Sequence, residues 1–249
     1  MQYPFYAGVG GVLSADIAVP EHATELEFYK KVLATGTSPL WREDLSNNHG
    51  TPIIGLGERV PAYEALPLQW MPHFQVADVA MSAHQAVELG GTELMHGKAD
   101  DGSSQWAVLV DPSGAAFGVI PVVDDSVEPS KQASSGRITS LSLLVSDVPG
   151  ISSFYEQVIG WTVDSSTKQG MHTMLRPDGK VAVAGIGPLN DDCGDVPSVW
   201  IVGLPVDDFE ESLRQVQECG GEVVIRSEDT GVAVIRDPVG VHFALQPNH

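Results

Sequence analysis

Positively charged residues are scarce in this chain. Its 249 residues include 13 Lys and Arg against 33 Asp and Glu, which gives a formal net charge of −20 when histidine is neutral. A surface this acidic repels the phosphates of nucleic acids and of anionic lipid headgroups. We therefore expect no nucleic-acid partner and no membrane partner.

Cysteines and long apolar runs are scarce as well. Cys193 and Cys219 cannot build a disulfide framework or a CxxC pair, so we expect free thiols in a reducing compartment. The first residues, Met1 to Phe5, lack the basic and apolar regions of a signal peptide. No apolar run approaches the roughly 20 residues that a membrane-spanning helix needs. These absences predict a cytoplasmic protein.

What the chain does contain is an internal duplication. Two motifs return 126 residues later: Phe28-Tyr29 as Phe154-Tyr155, and Asp111-Pro112-Ser113-Gly114 as Asp237-Pro238-Val239-Gly240. Three more return 130 residues later: Trp70, Asp78 and Gly90-Gly91 as Trp200, Asp208 and Gly220-Gly221. Between the copies, Ser, Asp and Pro replace the apolar pattern. We therefore predict a first domain over residues 1–120, a linker over 121–137 and a second domain over 138–249.

Each half contains two helices that follow short apolar strands. Helical spacing of apolar residues predicts helices from Thr24 to about Ala34, Val79 to Leu89, Val148 to Ile159 and Phe209 to Cys219. Thr24 and Glu27 form a capping-box pattern, and aspartates precede the other three helices as N-caps. The Gly-Gly pairs after the second and fourth helices favour a left-handed helix end.

The strands before these helices alternate apolar and mixed residues, which is the pattern of a half-buried sheet. The apolar rows are Leu13, Ala15, Ile17 and Val19; Trp70, Phe74 and Val76; and their counterparts in the second half. We expect these rows, including Trp70 and Trp200, to lie under the helices. The opposite faces mix small, polar and apolar side chains, which is typical of a sheet that faces solvent or lines a cavity.

These features resemble the vicinal oxygen chelate superfamily, which includes glyoxalase I, extradiol dioxygenases and bleomycin resistance proteins. The resemblance rests on the strand–helix–three-strand modules, the Phe-Tyr pairs, Gly160-Trp161 and the Asp-Pro-x-Gly turns. It covers residues 8–120 and 137–247, and the tandem arrangement is similar to actinobacterial glyoxalase-like "hydroxylase" antigens. It implies an α+β fold in which four βαβββ modules form curved, cup-like sheets covered by helices. Whether modules pair within halves, between halves or between chains is left open.

The resemblance also implies where metal ligands would lie in metal-dependent members. In this chain those positions hold Ser14, Met71 and Gly118 in the first half, and Ser140, Ile201 and Ala244 in the second. A divalent ion needs three or four nitrogen, sulfur or carboxylate donors that converge on one point. We therefore expect no metal and no cofactor.

Polar residues on the same strand faces are the candidate site. Asp16 and His73 lie two residues along from the ligand positions and form a candidate catalytic dyad, in which a carboxylate orients an imidazole base. The dyad has no copy, because Ser142 and Gly203 stand at the matching positions. The predicted ligand-binding residues are Ser14, Met71 and Gln75 in the first half, and Ser140, Ser142, His242 and Gln246 in the second.

Three functions are left open, ranked in this order. The first is a metal-independent protein that binds a small organic molecule in a sheet-lined cup. The second is an enzyme with hydroxylase-, lyase- or isomerase-like activity that uses Asp16 and His73. The third is an interaction protein with vestigial cups and an acidic working surface. The oligomeric state is also left open.

Overall fold

The computed structural model describes residues 6–35, 44–46, 52–123, 138–164, 166, 170–190, 193–227 and 231–248. Within these ranges the fold is α+β, with two curved sheets of fifteen strands in all and four α-helices. Most of the predicted linker, residues 124–137, lies outside the described residues. No described helix has the length and apolar character needed to cross a bilayer.

The first half forms one sheet of seven strands. They are β1 (Val12–Val19), β2 (Asp44–Ser46), β3 (Pro52–Glu58), β4 (Met71–Val76), β5 (Thr92–Lys98), β6 (Ser104–Val110) and β7 (Ala116–Pro121). Their order is β2-β3-β1-β4-β7-β6-β5, so the first and second modules meet where β1 pairs antiparallel with β4. Both modules of this half therefore build the same sheet.

The second half repeats this arrangement with eight strands. They are β8 (Ser140–Val145), β9 (Thr162–Asp164), β10 (His172–Leu175), β11 (Ala182–Pro188), β12 (Trp200–Val206), β13 (Glu222–Ser227), β14 (Val232–Arg236) and β15 (His242–Pro247). Their order is β13-β14-β15-β12-β8-β11-β10-β9, with β8 and β12 antiparallel at the junction. In this chain, modules thus pair within halves.

Aspartate caps begin three of the helices, as predicted. The helices are α1 (His22–Val32), α2 (Val79–Glu88), α3 (Val148–Ile159) and α4 (Phe209–Glu218). Asp78, Asp147 and Asp208 each accept a backbone N–H of the following helix at 3.0 Å. After α2 and α4, Gly90 and Gly220 have φ of 92° and 87°, which confirms the predicted left-handed ends.

The predicted start of α1 at Thr24 is wrong. The helix begins at His22, after Glu21 with a φ of 53°, and no side chain caps it. His22 Nε2 instead lies 2.8 Å from the carbonyl oxygen of Leu56 in β3. A contact with a distant strand, rather than a local cap, thus accompanies the earlier start.

One core lies between the inner faces of the two sheets. Trp70 and Trp200 are fully buried in it, as predicted. Phe74 of β4 contacts Trp161 and Trp200 of the second half, with ring centroids 4.9 and 5.6 Å apart. Helices also pack across the halves, α1 against α4 and α2 against α3. The apolar rows of both halves therefore stabilise a shared interior.

The two most conspicuous repeated motifs bind each other across the halves. Tyr29 of α1 donates its hydroxyl hydrogen to Asp237 Oδ2 at 2.8 Å, in the Asp-Pro-x-Gly turn of the second half. Tyr155 of α3 donates to Asp111 Oδ2 at 2.9 Å, in the corresponding turn of the first half. The Phe-Tyr pair of each half therefore contacts the Asp-Pro-x-Gly turn of the other half, in two equivalent contacts.

The first strand departs from its predicted alternation. Ala15, Ile17 and Val19 are buried as expected, but Val12 rather than Leu13 completes the buried row. The pairing of β1 with β4 shifts between Val12 and Ala15, and such an irregularity exchanges the two faces of a strand.

The outer faces of the sheets point away from the shared core. We call the outer face of the first sheet the first cup and that of the second sheet the second cup. Small apolar clusters mark both: Leu66, Met71 and Ala116 in the first, and Val196, Ile201 and Ala244 in the second.

Candidate functional site

Asp16 and His73 meet on the first cup. The pairing of Asp16 with Met71 places Ser14 opposite His73 across the antiparallel β1–β4 junction. His73 Nδ1 lies 3.3 Å from Asp16 Oδ2 and 3.3 Å from Ser14 Oγ. The His73 side chain is 22% exposed and that of Asp16 is 45% exposed, so both reach solvent. The two residues proposed from sequence as a dyad are thus within contact distance.

Gly118 makes room for the His73 ring. A Cβ atom added at Gly118 would lie 2.3 Å from His73 Cδ2, closer than side-chain carbons approach. Gly118 pairs with His73 across β7 and β4, and it occupies the position where the resemblance places a carboxylate ligand. A carboxylate side chain at position 118 would therefore collide with this histidine.

Apolar side chains surround one side of the dyad. Met71 is buried against Leu66 and Ala116, with Met95 and Val108 packed on the same cluster. Met71 therefore contributes apolar surface to the first cup rather than a polar contact. Met95 and Val108 are only partly buried, so they leave apolar surface on which an organic molecule next to His73 can pack.

Trp106 belongs to the first cup and was missed by the sequence analysis. It lies two residues before Val108, which pairs with Gly118, so it shares the face of His73. Its indole covers Gly97, where a Cβ would lie 2.2 Å from the ring, and the residue remains 39% exposed. Both faces of β6 are largely apolar, so alternation alone did not show which face would be open.

Gln75 has a structural role that the sequence analysis did not anticipate. It is fully buried, and its amide nitrogen donates to the carbonyl oxygen of Tyr6 at 2.7 Å. Its amide oxygen accepts the backbone N–H of Val123 at 3.0 Å and that of Gly8 at 3.3 Å. Gln75 thereby ties the start of the described chain to the segment after β7, which leaves its amide no free group for a ligand.

The second cup has a different set of side chains. Gly203 stands where the first cup has His73, and a Cβ there would lie 2.0 Å from Ser140 Oγ. Ser140 Oγ lies 3.5 Å from Gln246 Oε1, and Ser142 is paired with Ile201. His242 is 7% exposed, and burial together with the nearby Arg236 lowers its pKa below the usual value. The second cup thus contains a buried neutral histidine instead of a dyad.

The side chains present do not fit a divalent ion at the positions implied by the resemblance. Met71 and Ile201 lie in apolar clusters, while Gly118 and Ala244 offer no donor atom. Among the residues that the structure describes, no three His, Cys, Asp or Glu side chains come together as metal ligands would. The polar chemistry of the first cup therefore depends on His73 and its neighbours.

Comparison with known proteins decides the family. A model of the glyoxalase-like domain matches residues 14–120 and again residues 140–246. The chain belongs to the glyoxalase-like domain family. Each copy of this domain corresponds to one of the two curved sheets. The tandem duplication predicted from sequence is therefore confirmed at the level of family and fold.

A relative with partial similarity is the anthracycline biosynthesis protein DnrV of Streptomyces peucetius. It is 32% identical over 117 residues, which cover 40% of this chain and 42% of DnrV. The match therefore spans less than half of this chain and less than half of DnrV.

Solved structures of the vicinal oxygen chelate type share the fold over most of the chain. The Mn(II)-bound glyoxalase from Novosphingobium aromaticivorans has a TM-score of 0.59 at 14% identity and covers 96% of this chain and 82% of that one. The 2,2',3-trihydroxybiphenyl 1,2-dioxygenase from Sphingomonas wittichii RW1 has a TM-score of 0.57 at 16% identity, with coverages of 96% and 91%. At these identities the likeness shows the fold alone.

Proposed function

We propose that the first cup binds a small, planar and partly apolar organic molecule without a resident metal ion. The observation that carries this proposal is the His73 ring, which lies over Gly118, next to Asp16 and beside a buried apolar patch. The proposal places a polar group of the ligand on His73 and its apolar body on Met95 and Val108, the partly buried side chains beside Met71. A sheet face that combines an apolar patch with a few polar groups is typical of small-molecule sites.

Trp106 supports a planar ligand in particular. Its indole is 39% exposed on the face of His73, and exposed aromatic rings offer a flat surface on which another ring can stack. The names of similar proteins agree with this class of ligand. DnrV is named as an anthracycline biosynthesis protein, and the Sphingomonas wittichii enzyme is named as a trihydroxybiphenyl dioxygenase. Anthracyclines and trihydroxybiphenyl both contain aromatic rings.

Thermal unfolding in the presence of aromatic probes tests the proposal. Catechol, 2-naphthol and 1-hydroxyanthraquinone are suitable probes, because a ligand that binds the folded state raises the unfolding midpoint. We expect His73→Ala and Trp106→Ala each to weaken binding of a responding probe by about tenfold, the loss of one good contact. His84→Ala is the matched control, since His84 is 74% exposed on α2.

Two results would contradict the proposal. One is that no probe changes the unfolding midpoint of the wild-type protein. The other is that a probe binds with the same affinity to the wild type, His73→Ala and Trp106→Ala. Stoichiometric metal in the purified protein, lost in His73→Ala, would contradict the metal-free part of the proposal.

A second candidate function is enzymatic proton transfer by the same dyad. The 3.3 Å approach of Asp16 Oδ2 to His73 Nδ1 favours it, because a nearby carboxylate stabilises the imidazolium that forms when Nε2 accepts a proton. Such a base removes a proton from a carbon next to a carbonyl, or from a phenol hydroxyl, as lyase- and isomerase-like reactions require.

Hydrogen–deuterium exchange of 2-tetralone in D2O tests this second function. The α-carbon protons of this aromatic ketone exchange faster when a positioned base removes them, and NMR measures the rate. We expect the wild type to accelerate exchange and both His73→Ala and Asp16→Asn to lose about 10²-fold or more of that acceleration. Equal exchange rates for the wild type and His73→Ala would exclude a catalytic dyad for this substrate class.

A further inference from the structure

His242 opens β15 and is the one buried imidazole of the second cup among the described residues. It is 7% exposed, and its Nε2 atom has no hydrogen-bond partner within that part of the chain. Gly203 pairs with Ala244, so Ile201 and His242, two residues earlier on each strand, share the outer face. A buried polar nitrogen without a partner is unfavourable, and in native proteins such a nitrogen pairs with a protein group, an ordered water or a bound ligand.

Apolar side chains lie on one side of His242. Val196, Ile201 and Ala244 are buried beside it, with Val199 and Val232 partly buried on the same cluster. The first cup has Ala116 at the position that matches His242, so the imidazole is specific to the second half. An unpaired imidazole nitrogen next to this apolar cluster suits a ligand that is mostly apolar and carries one polar group.

The charged neighbours disfavour an anionic ligand. Arg236 stands opposite His242 in β14 and forms an ion pair with Glu222 of β13. An anionic group beside Arg236 would therefore meet the Glu222 carboxylate as well. Burial and Arg236 both lower the pKa of His242, so its ring is neutral at pH 7. A neutral Nε2 either donates or accepts, and a hydroxyl group serves both tautomers.

We propose that the second cup is a separate binding site for a small, neutral, apolar molecule with a hydroxyl group that bonds to Nε2 of His242. This site differs from the first cup in its chemistry, because it has a lone neutral imidazole where the first cup has a dyad. It does not depend on His73 or Trp106.

Two probes that differ by one hydroxyl group test the proposal, 2-naphthol and naphthalene. The experiment uses His73→Ala/Trp106→Ala protein, so that loss of the first site cannot be mistaken for loss of the second. We expect 2-naphthol to bind about tenfold more tightly than naphthalene, and His242→Ala, which copies Ala116 of the first half, to abolish that preference. An equal preference with and without His242 would overturn the proposal.

A measurement on the His242 ring itself does not depend on whether His242→Ala folds. The ¹⁵N resonance of His242 Nε2, observed in long-range ¹H–¹⁵N spectra of the His73→Ala/Trp106→Ala protein, should move when 2-naphthol is added. Naphthalene should move it much less. A resonance that stays in place at saturating 2-naphthol would overturn the proposal, whatever the result in the first cup.

Discussion

At the scale of single residues, the glycine at position 118 determines how the first cup is arranged. The His73 ring occupies the space that any larger side chain at 118 would need, since a Cβ atom there would lie only 2.3 Å from the ring. The same strand position in the second half holds Ala244, opposite Gly203, where no imidazole competes for space. The orientation of the His73 ring in β4 therefore depends on the glycine at position 118 in β7.

Replacing Gly118 by Ala tests this pair. The added methyl group should displace the His73 ring from Asp16 and destabilise the fold by about 1–3 kcal/mol, the usual cost of overpacking. Chemical denaturation measures the stability, and the probe titrations above measure the binding. Gly57→Ala is the control, since a Cβ at Gly57 would meet its nearest atom at an ordinary 3.8 Å. Equal effects of the two substitutions would contradict the proposed steric role.

A second residue-scale feature is the buried acid Glu25 of α1. It is 1% exposed, and neither of its carboxyl oxygens has a hydrogen-bond partner among the residues that the structure describes. Burial raises its pKa to about 8, helped by the nearby carboxylates of Asp237 and Glu21. Tyr29, which donates to Asp237, also has its pKa raised by burial and by the Asp237 carboxylate. The copy of Glu25 in the second half is Ile151, so this acid is not needed by the fold.

The raised pKa of Glu25 predicts a loss of stability with rising pH. Between the unfolded pKa of 4.5 and the folded pKa of about 8, the folded state binds the proton that the unfolded state has released. The contribution of Glu25 to the free energy of unfolding therefore falls as pH rises through this window. Glu25→Ile should flatten the pH dependence and stabilise the protein at pH 8 by about 1–3 kcal/mol. A slope that persists in Glu25→Ile would assign it to other groups.

At the scale of secondary-structure elements, local sequence explains three helix starts and fails at the fourth. Asp78, Asp147 and Asp208 cap their helices through hydrogen bonds within three residues. Thr24 and Glu27 show a similar pattern, but α1 begins two residues earlier. A capping pattern predicts a helix start only when no tertiary contact competes with it, and His22 makes such a contact with Leu56.

Two alanine substitutions distinguish these cases. Asp208→Ala removes a cap that accepts the N–H of Glu211 and should cost about 1 kcal/mol of stability. Thr24→Ala removes an exposed side chain within the first turn and should change stability by less than about 0.5 kcal/mol. Urea denaturation of the two variants measures both values. A larger loss of stability in Thr24→Ala than in Asp208→Ala would indicate that Thr24 caps α1, contrary to the structure.

At the scale of the whole molecule, the two halves share a core and exchange hydrogen bonds. Tyr29 binds Asp237 and Tyr155 binds Asp111 across the halves. Within the second half, Trp200 donates its indole N–H to the Tyr155 hydroxyl at 2.8 Å. Each Asp-Pro-x-Gly turn thus depends on a helix from the other half. The halves should therefore unfold together rather than one after the other.

Removing the two tyrosine hydroxyls tests this coupling. Tyr29→Phe and Tyr155→Phe each leave a buried aspartate oxygen without its partner, at a cost of about 1–3 kcal/mol. The double variant should still unfold in one transition, at a lower midpoint, as seen by both fluorescence and circular dichroism. Two separate transitions would show that the shared core does not couple the halves.

Sequence alone was enough to predict the duplication, the α+β modules, three of four helix caps and most buried rows, because turns, caps and alternation depend on neighbours a few residues apart. The resemblance predicted a glyoxalase-like domain in each half, and the family model confirmed both. The sequence also paired Asp16 with His73, whose contact the structure shows at 3.3 Å. Their function in a site stays a prediction.

The contacts across strands and across halves became visible in the folded structure. It showed that the repeated Tyr and Asp motifs bind each other, that Gly118 admits the His73 ring, and that Trp106 is open on the first cup. It also showed that the Gln75 amide binds backbone groups, which leaves it unavailable to a ligand. These outcomes depend on strand register and on the packing of distant segments, which a linear pattern does not specify.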